Sequence, residues 1–225
     1  MSGRRLADQA YSGIVELISA QKLSVGDRLP SEVSLAEMFR MSRTIVREAL
    51  VRLASDGITE ARRGAGSYVK NRPSDRLIAY TQTDNLSATL GTYEVRFVLE
   101  AEAARLAAMR RSAADMASID NALQKLRTAL LSSVPAHVED MELHRQIVLA
   151  TTNPAFLVAF EALTEDVEQI MRAGVDISRM RPPEVIGAMM REHEAIVDAI
   201  RAQDGDGAAL AMRWHLAEGR KRLMP

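Results

Sequence analysis

Residues 140 to 144 read Asp-Met-Glu-Leu-His, placing a carboxylate and an imidazole four positions apart within an apolar helical pattern. Residues at that spacing lie one turn above each other on the same helix face. His193 falls on a stripe with Ile186, Met189, Met190, Ile196, Val197 and Ile200, and His215 follows Ala211 and Met212 by about one turn. Three helical stretches therefore each aim a metal-capable group at an apolar interior. A buried polar group left without a partner costs about 1–3 kcal/mol, so each of these groups needs one. Asp140 with His144, His193 and His215 supplies one hard oxygen and three borderline nitrogens, a donor set suited to zinc, and also to nickel or manganese. Taken singly, each histidine reads as well as a hydrogen-bonded core residue, and His137, one turn before the pair, is read that way.

A bound metal with open positions activates water, but the sequence offers little else for hydrolysis. His-Glu-Ala-Ile-Val at 193–197 is half of the two-histidine protease pattern, with Val197 where the second imidazole would stand. Glu142, Glu192 and Glu194 neighbour the ligand positions, yet helical spacing points them elsewhere. The chain has no cysteine, which removes thiolate ligands, disulfides and thiol catalysis. No catalytic residue is assigned, and the chain is read as a non-enzyme.

A second group of residues suits a polyanion. Arg43 and Arg47 are one helical turn apart, with Thr44 beside them, opposite the apolar Ile45, Val46, Ala49 and Leu50. A guanidinium fork bonds a guanine edge or clamps a phosphate. Arg62 and Arg63 adjoin Gly64 and Gly66 at a predicted hairpin tip, where a wing would meet the backbone or minor groove. The alternative is that Arg43 and Arg47 are solvated, or that Arg47 pairs with a nearby carboxylate.

The elements that must position these groups fall into two parts. Residues 1–72 carry a net charge of +4 and residues 73–225 a net charge of −5, giving the overall −1. A Pro-bearing polar break at 70–76 separates them. In front, the apolar spacing predicts a helix over 6–21. Ser31 caps a second helix with Leu35, Met38 and Phe39 on its apolar side, and Ser42 caps a third that Gly57 ends. A hairpin around Arg-Arg-Gly-Ala-Gly follows. Behind, helices are predicted at 92–110, 113–131, 136–151, 154–175, 183–203 and 207–223, with room for a short one in 77–91. The predicted fold is mostly α, a winged helix-turn-helix with a small β-hairpin followed by an all-α antiparallel bundle of six or seven helices. No apolar run approaches the roughly 18 residues of a spanning helix, and the start lacks the apolar core of a secretory signal, so a cytoplasmic protein with no membrane partner is expected.

The stretch LPSEVSLAEMFRMSRTIVREALVRLASDGI with RRGAGSYV resembles the DNA-binding domain of the GntR family of bacterial transcription regulators. YEVRFVLEAEAARLAA, DMELHRQIVLATTN, REHEAIVDAI and MRWHL resemble the FadR C-terminal ligand-binding domain. The first resemblance implies that Arg43, Thr44, Arg47 and a wing with Arg63, Gly64 and Gly66 contact a duplex operator. The second implies a divalent metal on Asp140, His144, His193 and His215. It further implies that Arg96 grips the carboxylate of a small organic-acid effector. For Arg96 the competing partner is Glu100 at i+4; for Asn153, a further pocket candidate, the competing role is an N-cap before Pro154. The implied protein is a homodimeric repressor on a palindromic operator, released by its effector. In the alternative the metal is purely structural and no effector exists. Three positions depart from the family pattern: Val33 where an arginine is common, Arg40 where a glycine is usual, and Ile45 where a small residue or threonine is common.

Overall fold

A computed structural model describes residues 2–72, 86–132, 136–163 and 183–223. The chain divides into two compact units, Met1–Gly91 with Leu223–Pro225, and Thr92–Arg222. The predicted break at 72/73 and most of the short helix predicted in 77–91 lie outside the described residues, as does the end of the helix predicted over 154–175.

The front unit contains α1 (Ser2–Ala20), α2 (Glu32–Phe39), α3 (Arg43–Ser55), β1 (Thr59–Arg62) and β2 (Gly66–Val69). Ser31 and Ser42 cap α2 and α3 as predicted, each hydroxyl accepting the N–H three residues on, from Ser34 and Ile45. Helices α1 and α3 pack against each other, and Ala10, Ile14 and Ile18 of α1 and Val46, Ala49 and Leu53 of α3 are all buried. Tyr11 donates its hydroxyl to the buried Asp56 at 2.8 Å, tying α1 to the end of α3. The apolar side of α2 differs from prediction. Ala36 is buried beside Leu35, whereas Met38 is 52% exposed. A helix of eight residues has only two turns to bury, and the i, i+1 pair at 35–36 fills that narrow stripe.

Both ends of the helix-turn-helix close in left-handed geometry. After α3, Gly57 takes φ +77°, and the N–H groups of Gly57 and Ile58 return to the carbonyls of Ala54 and Leu53. After α2 the same pair of bonds runs from Arg40 and Met41 to Glu37 and Ala36, with Arg40 at φ 54°. This accounts for the glycine usual at that place, since a Cβ there is strained. Arg40→Gly is expected to raise stability by about 0.5–1 kcal/mol, the relieved strain exceeding the entropy that glycine adds to the unfolded chain; thermal unfolding of the two proteins compares them.

The hairpin pairs Thr59 with Val69 and Arg62 with Gly66. Its tip is Arg63-Gly64-Ala65, closed by the Ala65 N–H donating to the Arg62 carbonyl at 2.9 Å. Gly64 at φ +72° occupies the third position of that turn, as a type II turn requires.

The remaining described helices, which make up the rear unit from Thr92 to Arg222, are α4 (Leu86–Arg110), α5 (Ala113–Leu131), α6 (His137–Leu149), α7 (Pro154–Glu161), α8 (Pro183–Arg201) and α9 (Gly205–Leu223). The core gathers Ala101, Ala104, Ala107 and Ala108 of α4 with Ile119 and Leu126 of α5, Leu143 and Ile147 of α6, Ile196, Val197 and Ile200 of α8, and Met212 and Leu216 of α9. The alanine face of α4 lets its neighbours approach closely. A capping box starts α5, with Ser112 and Asp115 each bonding the other's backbone N–H. Asp140 and His144 on α6, His193 on α8 and His215 on α9 face inward with this core, all buried. Among the described residues no helix is long and apolar enough to cross a membrane.

Candidate metal centre and nucleic-acid interface

The four groups that sequence spacing singled out converge. One ligand atom from each of Asp140, His144, His193 and His215 lies within 4.8 Å of the others. The ring centroids of His193 and His215 are 4.2 Å apart, and those of His144 and His215 5.2 Å. Each imidazole is held by its Nδ1. That of His193 donates to the Met189 carbonyl at 2.8 Å, that of His215 faces Glu192 Oε2 at 3.0 Å, and that of His144 faces Glu100 Oε2. Because a carbonyl only accepts, His193 carries its proton on Nδ1 when neutral, leaving the Nε2 lone pair turned to the cluster. The inner atoms are the unsatisfied ones. Asp140 Oδ1, His144 Nε2 and His193 Nε2 are fully buried with no hydrogen bond among the described residues; Asp140 and His193 meet at 2.7 Å as an ion pair that is not aligned as a hydrogen bond. Buried orphans of this kind call for an explanation. A divalent ion on one oxygen and three imidazole nitrogens supplies it, and the donor set fits the group.

Behind this set stand two arginine–carboxylate pairs. Arg96 of α4 reaches Glu100 one turn on, both at most 3% exposed. Arg222 of α9 grips Glu192 of α8 with two bonds of 2.8 and 2.9 Å. Arg96 therefore has the partner that helical spacing offered, Glu100, and Glu100 in turn touches His144. Glu192 corrects the sequence reading. It does not point away from the site but lies behind His215. The signal was present: Glu192 precedes His193 on α8, and an i−1 residue shares the edge of the ligand face even though it cannot share its centre. Glu142 and Glu194 do turn elsewhere, to Gln146 and Arg127. His137 is half-buried at the first residue of α6 and is not one of the four converging groups. Asn153 caps α7, its Oδ1 accepting the Ala155 N–H at 3.1 Å.

The charges respond accordingly. Burial pushes the Glu100 carboxyl up, but Arg96 and His144 outweigh it and hold the group down at about 2. Glu192 is similarly brought to about 2 against its burial by its bonds to His215 and Arg222. Burial and the neighbouring His193 lower His215 to about 3, whereas Asp140 overcomes the burial of His193 and raises it. Depressed carboxyls contribute stability that is complete above their ordinary value near 4.5 and is lost as pH falls through the folded-state value. Acidifying the metal-free protein from pH 5 to pH 2 is thus expected to cost a few kcal/mol from Glu100 and Glu192 together. Denaturant unfolding at the two pH values, followed by helical circular dichroism, measures it.

In the front unit Arg43, Thr44, Arg47, Arg63, Gly64 and Gly66 are all exposed. Arg43 and Arg47 extend from the first turns of α3, the end that enters a major groove in helix-turn-helix proteins. Both are tethered to Glu32 of α2. Arg47 bonds it with Nε and Nη2 at 3.1 and 2.7 Å, and Arg43 Nη2 stands 4.0 Å from it. The internal carboxylate foreseen for Arg47 is therefore present, and Arg43 stands near the same group. At the wing, Arg62 pairs with Glu60 and stacks over Tyr68 at 4.1 Å, which leaves Arg63 at the tip.

Comparison with known families agrees with both halves. Residues 6–69 match the model described as "Bacterial regulatory proteins, gntR family", and residues 92–218 match the FCD domain. The chain belongs to the GntR family. Relatives of this GntR-family chain include the Uxu operon transcriptional regulator of Escherichia coli strain K12, 32% identical over 99% of this chain and 88% of the relative. The HTH-type transcriptional regulator LutR of Bacillus subtilis strain 168 is 31% identical over 89% of this chain and 93% of its own length. The galactonate operon transcriptional repressor of E. coli strain K12 is 29% identical, with 88% of each chain covered. Among solved structures, Streptococcus agalactiae GntR shares the fold with a TM-score of 0.50 at 24% identity, covering 96% of this chain and 99% of that one. The GntR-family chain is accordingly a DNA-binding transcription regulator and not an enzyme.

Proposed function

We propose that this regulator is a repressor of a metabolic operon whose operator affinity is set by a small organic acid bound at a divalent metal. The metal sits on Asp140, His144, His193 and His215, zinc being the first choice for three imidazoles and a carboxylate, with nickel or manganese the other fits. When bound, the ion would supply a Lewis-acid anchor for one oxygen of the effector. The observation that carries this reading is the convergence of Asp140, His144, His193 and His215 within 4.8 Å, with three buried inner atoms making no hydrogen bond among the described residues while the outer nitrogen of each imidazole is held. Arg96 offers the effector carboxylate a guanidinium, and Asn153 a second contact. A relative named for galactonate, itself a carboxylate, supports the ligand class.

In this reading residues 1–72 bind DNA through Arg43, Thr44, Arg47 and the wing at Arg63, Gly64 and Gly66. Residues 73–225 hold metal and effector and form the homodimer, and the protein acts in the cytoplasm. A two-fold dimer reads a palindromic operator with half-sites about one helical turn apart or closer. The effector shifts operator affinity only by binding the DNA-competent and incompetent arrangements unequally.

One observation favours a second reading, a structural metal with no effector: Arg96 is already occupied by Glu100. Thermal unfolding of the zinc-loaded protein against a panel of mono-, di- and hydroxycarboxylic acids separates the two. An acid at about 100 times its Kd stabilises by about 2.7 kcal/mol, and Arg96→Ala removes most of that gain. If no acid in the panel stabilises the protein, the structural reading replaces the first.

A further inference from the structure

Around the ligand cluster the same arrangement occurs twice. Arg96, Glu100 and His144 form one line, and Arg222, Glu192 and His215 another, each running from a guanidinium through a carboxylate to the Nδ1 of a ligand imidazole. In each line one carboxylate serves two cations. Glu100 gives Oε1 chiefly to Arg96 Nε and Oε2 to His144, with Arg96 Nη2 at 3.4 Å from that second oxygen. Glu192 gives Oε1 to Arg222 Nη1 at 2.8 Å and shares Oε2 between Arg222 Nη2 and His215 Nδ1, at 2.9 and 3.0 Å. A carboxylate behind a ligand histidine fixes its tautomer and raises the basicity of the metal-facing nitrogen. A guanidinium drawing on the same oxygens weakens that effect.

We infer that Arg96 and Arg222 restrain metal affinity by withholding the carboxylates of Glu100 and Glu192 from His144 and His215. All of Arg96, Glu100, His144, Glu192 and His215 are buried, so water does not screen the competition. Arg96 is thus a positioning residue for the metal in addition to its role in the effector reading, on which the following consequence rests. An anion that takes Arg96 leaves Glu100 wholly to His144, so carboxylate and metal strengthen each other's binding. Linkage makes that strengthening equal in both directions.

The test uses zinc alone and the full chain. Zinc affinity is measured by competition with a chromophoric chelator for the wild type, Arg96→Met, Glu100→Gln and the double variant, with cobalt absorption to report the coordination. Glu100→Gln keeps an acceptor for Nδ1 but loses the charge, and about a 10-fold or greater loss of affinity is expected. Arg96→Met is expected to tighten zinc several-fold, and to have no such effect when Glu100 is already Gln. A residue that merely fills space moves affinity alike in both backgrounds. Should Arg96→Met weaken zinc binding, or change it equally with and without Glu100, the inference is overturned. Because removal of Arg96 leaves a buried carboxylate short of a cation, Arg222→Gln, near the chain's end, is measured in parallel with Glu192→Gln. The same sign is expected there, and a weakening with intact fold overturns the inference for the second line. If the cycle behaves as described and no organic acid stabilises the protein, the effector reading fails while this one stands; acids that bind beside an additive cycle give the reverse.

Discussion

His193→Ala is expected to empty the metal centre. Structural zinc sites gain about 10–16 kcal/mol from their ligands together, so one of four is worth roughly 3–4 kcal/mol, or two to three orders of magnitude in affinity. His193 is the most completely enclosed of the set, at 0% exposure, and its Nε2 stands 2.7 Å from Asp140 Oδ1. Its truncation leaves both a cavity and an unneutralised carboxylate. His144→Ala should lose metal to a similar degree, whereas His137→Ala, at the first residue of α6 and outside the converging four, should retain it. Elemental analysis after dialysis, with helical circular dichroism as a check on folding, gives the comparison. Full metal content in His193→Ala would remove the site from the description. Acid works in the same direction, because bound imidazoles must be neutral. Protons compete first at His193, which despite its burial Asp140 holds above the ordinary imidazole value, so metal affinity should fall as the pH drops through that range.

The second large effect belongs to the front unit. Arg43→Ala and Arg47→Ala are each expected to weaken operator binding by about 1–3 kcal/mol, roughly 5- to 150-fold. Duplexes selected from a random library, titrated by fluorescence anisotropy, supply the operator and the readout. The two changes differ in kind. Arg47 is aligned by two bonds to Glu32, while Arg43 has only a 4.0 Å approach to the same carboxylate. Glu32→Ala should therefore blunt discrimination between selected and unselected duplexes, while the removal of a negative charge raises affinity for both at low salt. Undiminished discrimination would leave Glu32 without an orienting role.

Much of this was legible before any coordinates. The caps at Ser31 and Ser42, the stop at Gly57 and the inward stripes of α8 and α9 follow from residue type and period, because each depends on bonds made within a turn or two. The inward convergence of Asp140, His144, His193 and His215 was legible because an imidazole amid apolar neighbours at helical spacing has few places to go. What spacing could not show is contact between helices distant in the chain. Glu192 to His215, Glu100 to His144 and Arg222 to Glu192 join residues 23, 44 and 30 positions apart. Their pairing is set by how α4, α6, α8 and α9 are rotated in the bundle. For the same reason the period of α8 suggested that Glu192 was irrelevant, when it stands at the edge of the ligand face. Arg40 is a different case. The family pattern marked it as unusual, and only its φ of 54° gives the physical reason.

The most direct measurement joins the two halves of the molecule. Operator affinity of the zinc-loaded wild type and of His193→Ala is compared with and without the organic acid that most stabilises the wild type. A metal-anchored effector that releases DNA predicts about a 10-fold or greater loss of operator affinity in the wild type and none in the variant. An equal loss in both proteins, or none in either, would contradict control of DNA binding through the four-ligand site.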